Sequence, residues 1–463
     1  MKAIADPGNA LGRGLASIRG QFQIPQSFPP EVVEAAEKAA ARPAAEHADR
    51  TDLPFVTLDP ASSTDLDQAF SIERSGTDLL LLYAIADVAW FVEDGGPLDR
   101  EAWRRGTTQY LPDGRASLYP PVLSEGAASL LAQGPRCAVI FTVRVDADGA
   151  VRLEGAERAI IRNRAKLAYE TVRDHDLPPD FAELARRIQR AERRRGAARV
   201  NPPAQEFARL ADGRYELLFR PPLESEVRNA ALSLATNLAV ADLLQAHGTG
   251  LFRVMAEPDD RALSRLRHTA RALGLEWPAQ TPLAELERSL DPSDPKQASF
   301  MLAVQRASQG AGYVPFREGE TPWHAAVAAT YAHATAPLRR LADRYVVSAA
   351  LAIANGRPVP AAAAEAFQKL PPVMARADAL GSQIHRAVVD LAEAVLLHGQ
   401  EGRPFRAVAT EVDRRGARIQ LCDLPVAARV AGEDIEPGDV LSVILTEANA
   451  DTRTVTFVRA PAP

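Results

Sequence analysis

The chain has 463 residues, enough for two to four domains, and its 46% hydrophobic and 25% charged content is that of an ordinary globular protein. A net charge of −6 argues against a uniformly basic, nucleic-acid-coating protein, although 54 Lys and Arg, mostly Arg, leave ample cation for a local cleft. The two cysteines, Cys137 and Cys422, are far apart and match no metal-ligand spacing, and no apolar run reaches the ~18 residues of a membrane span. A cytoplasmic protein with no disulfide partner and no membrane partner is expected, and the N-terminus lacks the apolar core of a signal peptide.

Residues 1–50 are rich in Ala, Gly and Pro, with helical patterns at 11–21 and 30–41. They read as a loose arm or a small helix-turn-helix-like module, with few large apolar residues to close a core. An acidic loop follows, Thr57-Leu58-Asp59-Pro60-Ala61-Ser62-Ser63-Thr64-Asp65-Leu66-Asp67-Gln68-Ala69-Phe70. Pro60 keeps Asp59 out of the helical region, and Asp65 and Asp67 point the same way if extended. Carboxylates this close repel unless a cation lies between them, and an oxygen-only donor set suits magnesium or manganese. A solvated loop with Asx-turns is an equally good reading of this window. A calcium loop of the EF-hand kind fits poorly, because no Gly lies between Asp59 and Phe70.

Strands are expected at 55–58, 69–73 and 79–85, the last a continuous apolar run fit for burial on both faces. A short helix at 99–105 and a strand at 137–145 follow, and Asp146-Ala147-Asp148-Gly149 signals a hairpin turn. Helical patterns then cover 180–195, 227–247, 261–273, 298–309, 344–354 and 373–398, with Asn229 and Asn237 embedded in the second. From Arg403 the period changes to two. Five short strands, at 405–410, 417–421, 427–430, 440–445 and 454–459, fit a small Greek-key barrel such as an OB-fold.

The acidic loop, the run Ile85-Ala86-Asp87-Val88 and the run Arg105-Gly106-Thr107-Thr108-Gln109-Tyr110-Leu111-Pro112 resemble, in order and spacing, the RNB family. That family comprises processive 3′→5′ exoribonucleases of the ribonuclease II and RNase R type. The resemblance continues through Ala165-Lys166-Leu167-Ala168-Tyr169-Glu170-Thr171-Val172. It returns at Tyr331-Ala332-His333-Ala334-Thr335-Ala336-Pro337-Leu338-Arg339-Arg340 and Asp343. It implies an α+β, multidomain chain: a catalytic domain at 51–398, a mixed sheet surrounded by helices, then an RNA-gripping OB-fold barrel at 399–463. It also implies a monomer acting on RNA with a single-stranded 3′ end or 3′ overhang.

The resemblance assigns Asp59, Asp65 and Asp67 to magnesium (or manganese), with Asp65, Asp67 and Arg339 as the catalytic set. Tyr110 and Tyr169 would contact the last nucleotides by stacking, and Arg340 would bind substrate, although it should point away from Arg339 on a helix. The arginines of 180–195 would line an RNA path or form a solvated face. His324 and His333 are assigned no chemistry. Phe405 and Phe457 are stacking candidates better suited to filling the barrel core, and Glu433, Asp434, Glu436 and Asp439 weaken the barrel's grip.

Departures from the family pattern are visible too. Gln68 stands where the family has a fourth acid, Ala336 where it has Ser, His385-Arg386 where it has Glu-Arg, and Ala230-Ala231 where it has paired Glu. Fifty N-terminal residues are too few for the family's two cold-shock barrels. A competing expectation is an RNA-binding protein of the same fold with weakened or lost nuclease activity; a third is a DNA-directed phosphodiesterase.

Overall fold

The computed structural model describes residues 6, 8–197, 204–209, 215–220, 222–292, 294–308, 310–413, 416–432 and 434–461. Residue 309, the last of the helical pattern expected at 298–309, and Glu433 lie outside them.

Two helices, α1 (Ala10–Gln21) and α2 (Pro30–Ala40), precede strands β1 (Ala48–Arg50), β2 (Val56–Asp59), β3 (Gln68–Ser75) and β4 (Asp78–Ala86). Helices α3 (Val88–Phe91) and α4 (Pro97–Arg105) and the hairpin β5 (Gln109–Leu111) and β6 (Gly114–Ala116) come next. Strands β7 (Pro135–Val145), β8 (Val151–Arg162) and β9 (Ala165–Ala168) complete a seven-stranded sheet of order β1-β8-β7-β4-β3-β2-β9. Its edge strands pair in parallel, β1 with β8 and β9 with β2, and the others are antiparallel. The apolar run of β4 alternates between buried and half-buried up to Leu82 and is fully buried only from Tyr83 to Ala86.

Helix α5 (Phe181–Arg195), the hairpin β10 (Ala204–Arg209) and β11 (Tyr215–Arg220), and α6 (Glu224–Ala246) follow. Between Ala231 and Ala241, α6 is buried at every residue but Ser233, as befits a helix apolar on all sides. The arginines of α5 sit at the end of the sheet where Ser75 pairs with Asp78 and Leu79 with Val145. There Arg187 donates to Glu183 and to the carbonyls of Thr77 and Val145, and Arg194 meets Asp148. That end is opposite the acidic loop, so this helix does not line the acid site.

Strand β12 (Leu251–Met255), helices α7 (Asp260–Ala272), α8 (Leu283–Ser289) and α9 (Pro295–Ala307), and strands β13 (Ala311–Pro315), β14 (Trp323–His324) and β15 (Ala329–Thr330) add a four-stranded sheet. Helices α10 (Leu341–Ala354) and α11 (Ala361–Leu397) then lead into β16 (Pro404–Asp413), β17 (Gly416–Leu421), β18 (Ala427–Val430), β19 (Val440–Asn449) and β20 (Thr454–Arg459), a closed barrel. Phe457 is buried inside the barrel and meets half-buried Phe405 edge-on at 5.9 Å, a core-filling pair.

Three expectations change. Helix α11 begins twelve residues before 373 and passes through Pro371 and Pro372. Burial of Phe367, Leu370 and Met374 on both sides of the prolines outweighs the lost backbone bonds. Helices α1 and α2 are neither a loose arm nor a helix-turn-helix unit. Leu11, Leu15 and Ile18 are buried in a cluster with Ile384, Val388 and Leu391 of α11, whereas Val32, Ala36 and Ala39 belong to the central core. The partners that α1 finds in α11 lie more than 300 residues downstream. Arg340 is not inside a helix: it is the extended residue that caps α10.

Candidate active site

The acids sit where β2 ends and β3 begins. Asp59 closes β2, and its carbonyl accepts from the Tyr169 amide at 3.1 Å, which ties it to the edge strand β9. Between the strands, Leu66 is fully buried, its amide donating to Ser129 Oγ (2.9 Å) and its carbonyl accepting from Leu130 (2.9 Å). The loop is therefore clasped at its apolar residue, which fixes Asp65 and Asp67 on either side. A freely solvated loop is excluded: Asp59 and Asp67 are buried.

Asp67 spends its two oxygens differently. Oδ1 accepts from the Leu338 amide at 2.7 Å, and Oδ2 faces Arg339 Nε at 3.5 Å. Arg339 lies in the turn before α10, where the amides of Arg339 and Arg340 both point at the Ala336 carbonyl. Ala336, which lacks the hydroxyl of the family's Ser, is held instead through its amide, donating to Asp343 Oδ2 at 2.7 Å. The neighbouring Arg340 diverges from Arg339 and makes a two-pronged bond to Asp343 at 2.9 and 2.7 Å. Both guanidiniums border the same cleft.

Tyr110 is half exposed, and its hydroxyl donates to Asp65 Oδ2 at 2.8 Å. Its cross-strand partner in the β5–β6 hairpin is Arg115, which meets Asp65 Oδ1 at 2.6 Å and Glu125 at 2.8 Å. Both strands of one hairpin thus hold Asp65. Tyr169 is half-buried; its hydroxyl accepts from Asn229 Nδ2 at 2.8 Å, and the same amide nitrogen donates to the Leu58 carbonyl at 3.1 Å. Asn237, two turns along α6, pins the arginine-bearing loop: its Oδ1 accepts from the Ala334 amide (2.9 Å) and its Nδ2 donates to the Tyr331 hydroxyl (3.0 Å). His333 accepts from or donates to the Tyr313 hydroxyl at 2.7 Å, and burial pushes both His333 and His324 down, His324 to about 4. They are neutral packing groups behind the loop.

Whether the acids fit a divalent cation is answered by their unpaired oxygens. Asp59 Oδ2, Asp67 Oδ2 and Gln68 Oε1 are buried with no hydrogen-bond partner. Burial pushes both Asp59 and Asp67 up to about 7; Arg339 opposes the rise, and Asp65 adds to it. Two buried oxygens that need a counter-charge to stay ionised at neutral pH are suited to a hard cation completed by water and phosphate. Among the described residues no group of three or more His, Cys, Asp or Glu is gathered as metal ligands. Asp65 differs from Asp59 and Asp67 in being engaged by Arg115 and by the Tyr110 hydroxyl.

Arg115 and its hairpin were not anticipated. The signal was there in Leu111-Pro112-Asp113-Gly114, a turn sequence between residues that would pair. The cleft holds about 1430 Å³ and runs from Tyr110 and Arg339 past Arg253 and Arg386 to Arg418 and Arg453 of the barrel. Eight arginines line this groove against three acids, Asp378, Asp390 and Glu393, so the groove is basic although the chain is acidic.

A mixed sheet that buries paired aspartates, joined across a basic cleft to a closed five-stranded barrel, is a two-module architecture of the oligonucleotide-barrel type. Residues 47–353 match the family model described as RNB domain, and residues 403–460 match the RNase II-type exonuclease C-terminal S1 domain. The chain belongs to the RNB family. It is 30% identical over 374 residues to Ribonuclease R of Escherichia coli, covering 73% of this chain and 44% of that protein. The chain therefore spans less than half the length of that relative. Mycoplasma genitalium RNase R in complex with ribose methylated single-stranded RNA shares the fold, with a TM-score of 0.86 at 19% identity, over 99% of this chain and 79% of that one. Yeast Ssd1, described as a pseudonuclease, superposes with a TM-score of 0.69 at 15% identity, over 99% of this chain and 59% of that one.

Proposed function

We propose that the chain is a divalent-metal-dependent, processive 3′→5′ exoribonuclease that releases nucleoside 5′-monophosphates, with magnesium, or manganese, as the cation. The observation that carries this reading is the meeting of Asp67 and Arg339 at the base of the arginine-lined cleft. RNA enters by its 3′ end along the arginines, which track the phosphates as bidentate donors. Tyr110 offers an exposed ring to a terminal base without regard to its identity.

Water attacks the phosphorus of the last internucleotide linkage. The bond to the preceding nucleotide's 3′-oxygen breaks, that oxygen takes up a proton, and the 5′-monophosphate leaves. Arg339 stands where negative charge grows on the phosphoryl oxygens, a fixed cation needing little rearrangement. Asp59 and Asp67 would hold the cation, which when bound acts as a Lewis acid and makes water nucleophilic at neutral pH. Asp67 also fixes the arginine loop through Leu338, so one side chain aligns the acidic loop with the Arg339 cation.

The competing reading is an RNA-binding protein without cleavage. It is favoured by the engagement of Asp65 with Arg115 and by Gln68 in place of an acid. A 5′-labelled RNA incubated with magnesium, with manganese and with chelator separates the two, and a DNA of the same sequence serves as control. Stepwise shortening of the RNA that chelator abolishes supports the nuclease; RNA that is bound and stays intact supports the alternative.

A further inference from the structure

The N-terminal helix α1 does not line the cleft but touches three structures that do. Its buried Leu11, Leu15 and Ile18 share a cluster with Leu111 and Ala116 of the β5–β6 hairpin, with Ile384, Val388 and Leu391 of α11, and with half-buried Ala450 of the barrel. Arg19 pairs with Asp113 at the hairpin turn at 2.7 Å. Gln21 Oε1 accepts a hydrogen bond from Arg453, a barrel residue that faces the cleft. At the helix crossing stands Gly14, where a Cβ would overlap the Leu391 side chain, so Leu391 fills the space that glycine leaves open.

A hairpin of two three-residue strands is marginal on its own and takes its position from what packs beneath it. Here α1 packs beneath it, and the same helix holds Arg453 on the far wall. We propose that α1 is a brace that sets the spacing between the Tyr110 hairpin and the barrel, and so the bore of the cleft. Gly14, Arg19 and Gln21 are then positioning residues for the nucleic-acid strand. Asp59, Asp67 and Arg339 are held by β2, β3 and the turn before α10, so the brace governs how the strand is gripped and not the bond-breaking step.

This inference rests on the reading of the cleft as an RNA path. The test compares wild type with Gly14→Val in steady-state hydrolysis of a long 5′-labelled RNA, with an excess of unlabelled trap RNA added to report processivity. Gly14→Val is expected to raise KM about tenfold, leave kcat within about twofold and turn a processive ladder distributive. Adding Leu391→Ala, which returns the volume that valine takes, is expected to restore KM. Arg19→Ala with Gln21→Ala removes only the half-exposed polar ties, and a severalfold rise in KM is expected; this pair decides the matter should Gly14→Val fail to fold. Unchanged KM and processivity in folded variants, or a fall in kcat that Leu391→Ala does not rescue, overturns the brace. Wild type that leaves RNA intact would sink the nuclease reading instead, before any variant is compared.

Discussion

Asp67 faces Arg339 at 3.5 Å while its other oxygen takes the Leu338 amide, so the acidic loop and the arginine turn are registered through a single side chain. Across this contact the site joins two segments far apart in the chain. It also separates two adjacent arginines by role, Arg339 toward Asp67 and Arg340 toward Asp343.

That separation is measurable. Arg339→Ala is expected to lower kcat on RNA by about a hundredfold or more, the effect of losing a fixed donor where charge develops, with little change in melting temperature. Arg340→Ala strands a fully buried Asp343 and is expected to cost about 3–5 kcal/mol of stability. Kinetics and thermal melts on both variants check the pair. Equal losses of kcat at equal stability would mean that both arginines act on substrate.

The paired aspartates predict a pH dependence. Burial raises Asp59 and Asp67 to about 7, so between about pH 4 and about pH 7 the folded state keeps protons that the unfolded chain has released. This contribution to stability is fully present below the unfolded value, is lost as pH rises through the folded value, and is level above it. A cation that binds the ionised pair offsets the loss. Magnesium is expected to raise the melting temperature more at about pH 8 than at about pH 5, read by scanning calorimetry. Equal shifts at both would contradict the assignment of the two acids to the metal.

Arg115 engages Asp65 at 2.6 Å, so a guanidinium competes with any cation for that carboxylate. Arg115→Met is expected to release Asp65 and tighten the apparent magnesium affinity severalfold, measured as the metal concentration for half-maximal hydrolysis at fixed RNA. Weaker affinity in the variant would show that Arg115 aims Asp65 at the metal and does not withhold it.

Much of the fold was legible because its signals are local. The apolar run of β4, the Asp146–Gly149 turn and the period-two barrel strands each declare themselves within ten residues or so. The acids were legible as a motif, but their meeting with Arg339 came from resemblance, since spacing alone carries no contact between segments so far apart. What was missed depends on distant partners or on elements too short to have a period. Helix α1 looks starved of a core until α11 is laid against it. Strands β5, β6, β14 and β15 are two or three residues long, and α11 hides its first part behind two prolines. Asn229 and Asn237 stood out as polar residues in an apolar helix, yet only the structure shows that one ties the acidic strand and the other the arginine loop.

Asp67→Asn is the most direct test, because the amide keeps an oxygen for the Leu338 amide while removing the charge that Arg339 and a cation require. A 5′-labelled RNA ladder should show stepwise shortening by wild type in magnesium, and full-length RNA, still bound with wild-type affinity, for the variant. Shortening by Asp67→Asn at the wild-type rate would contradict the account.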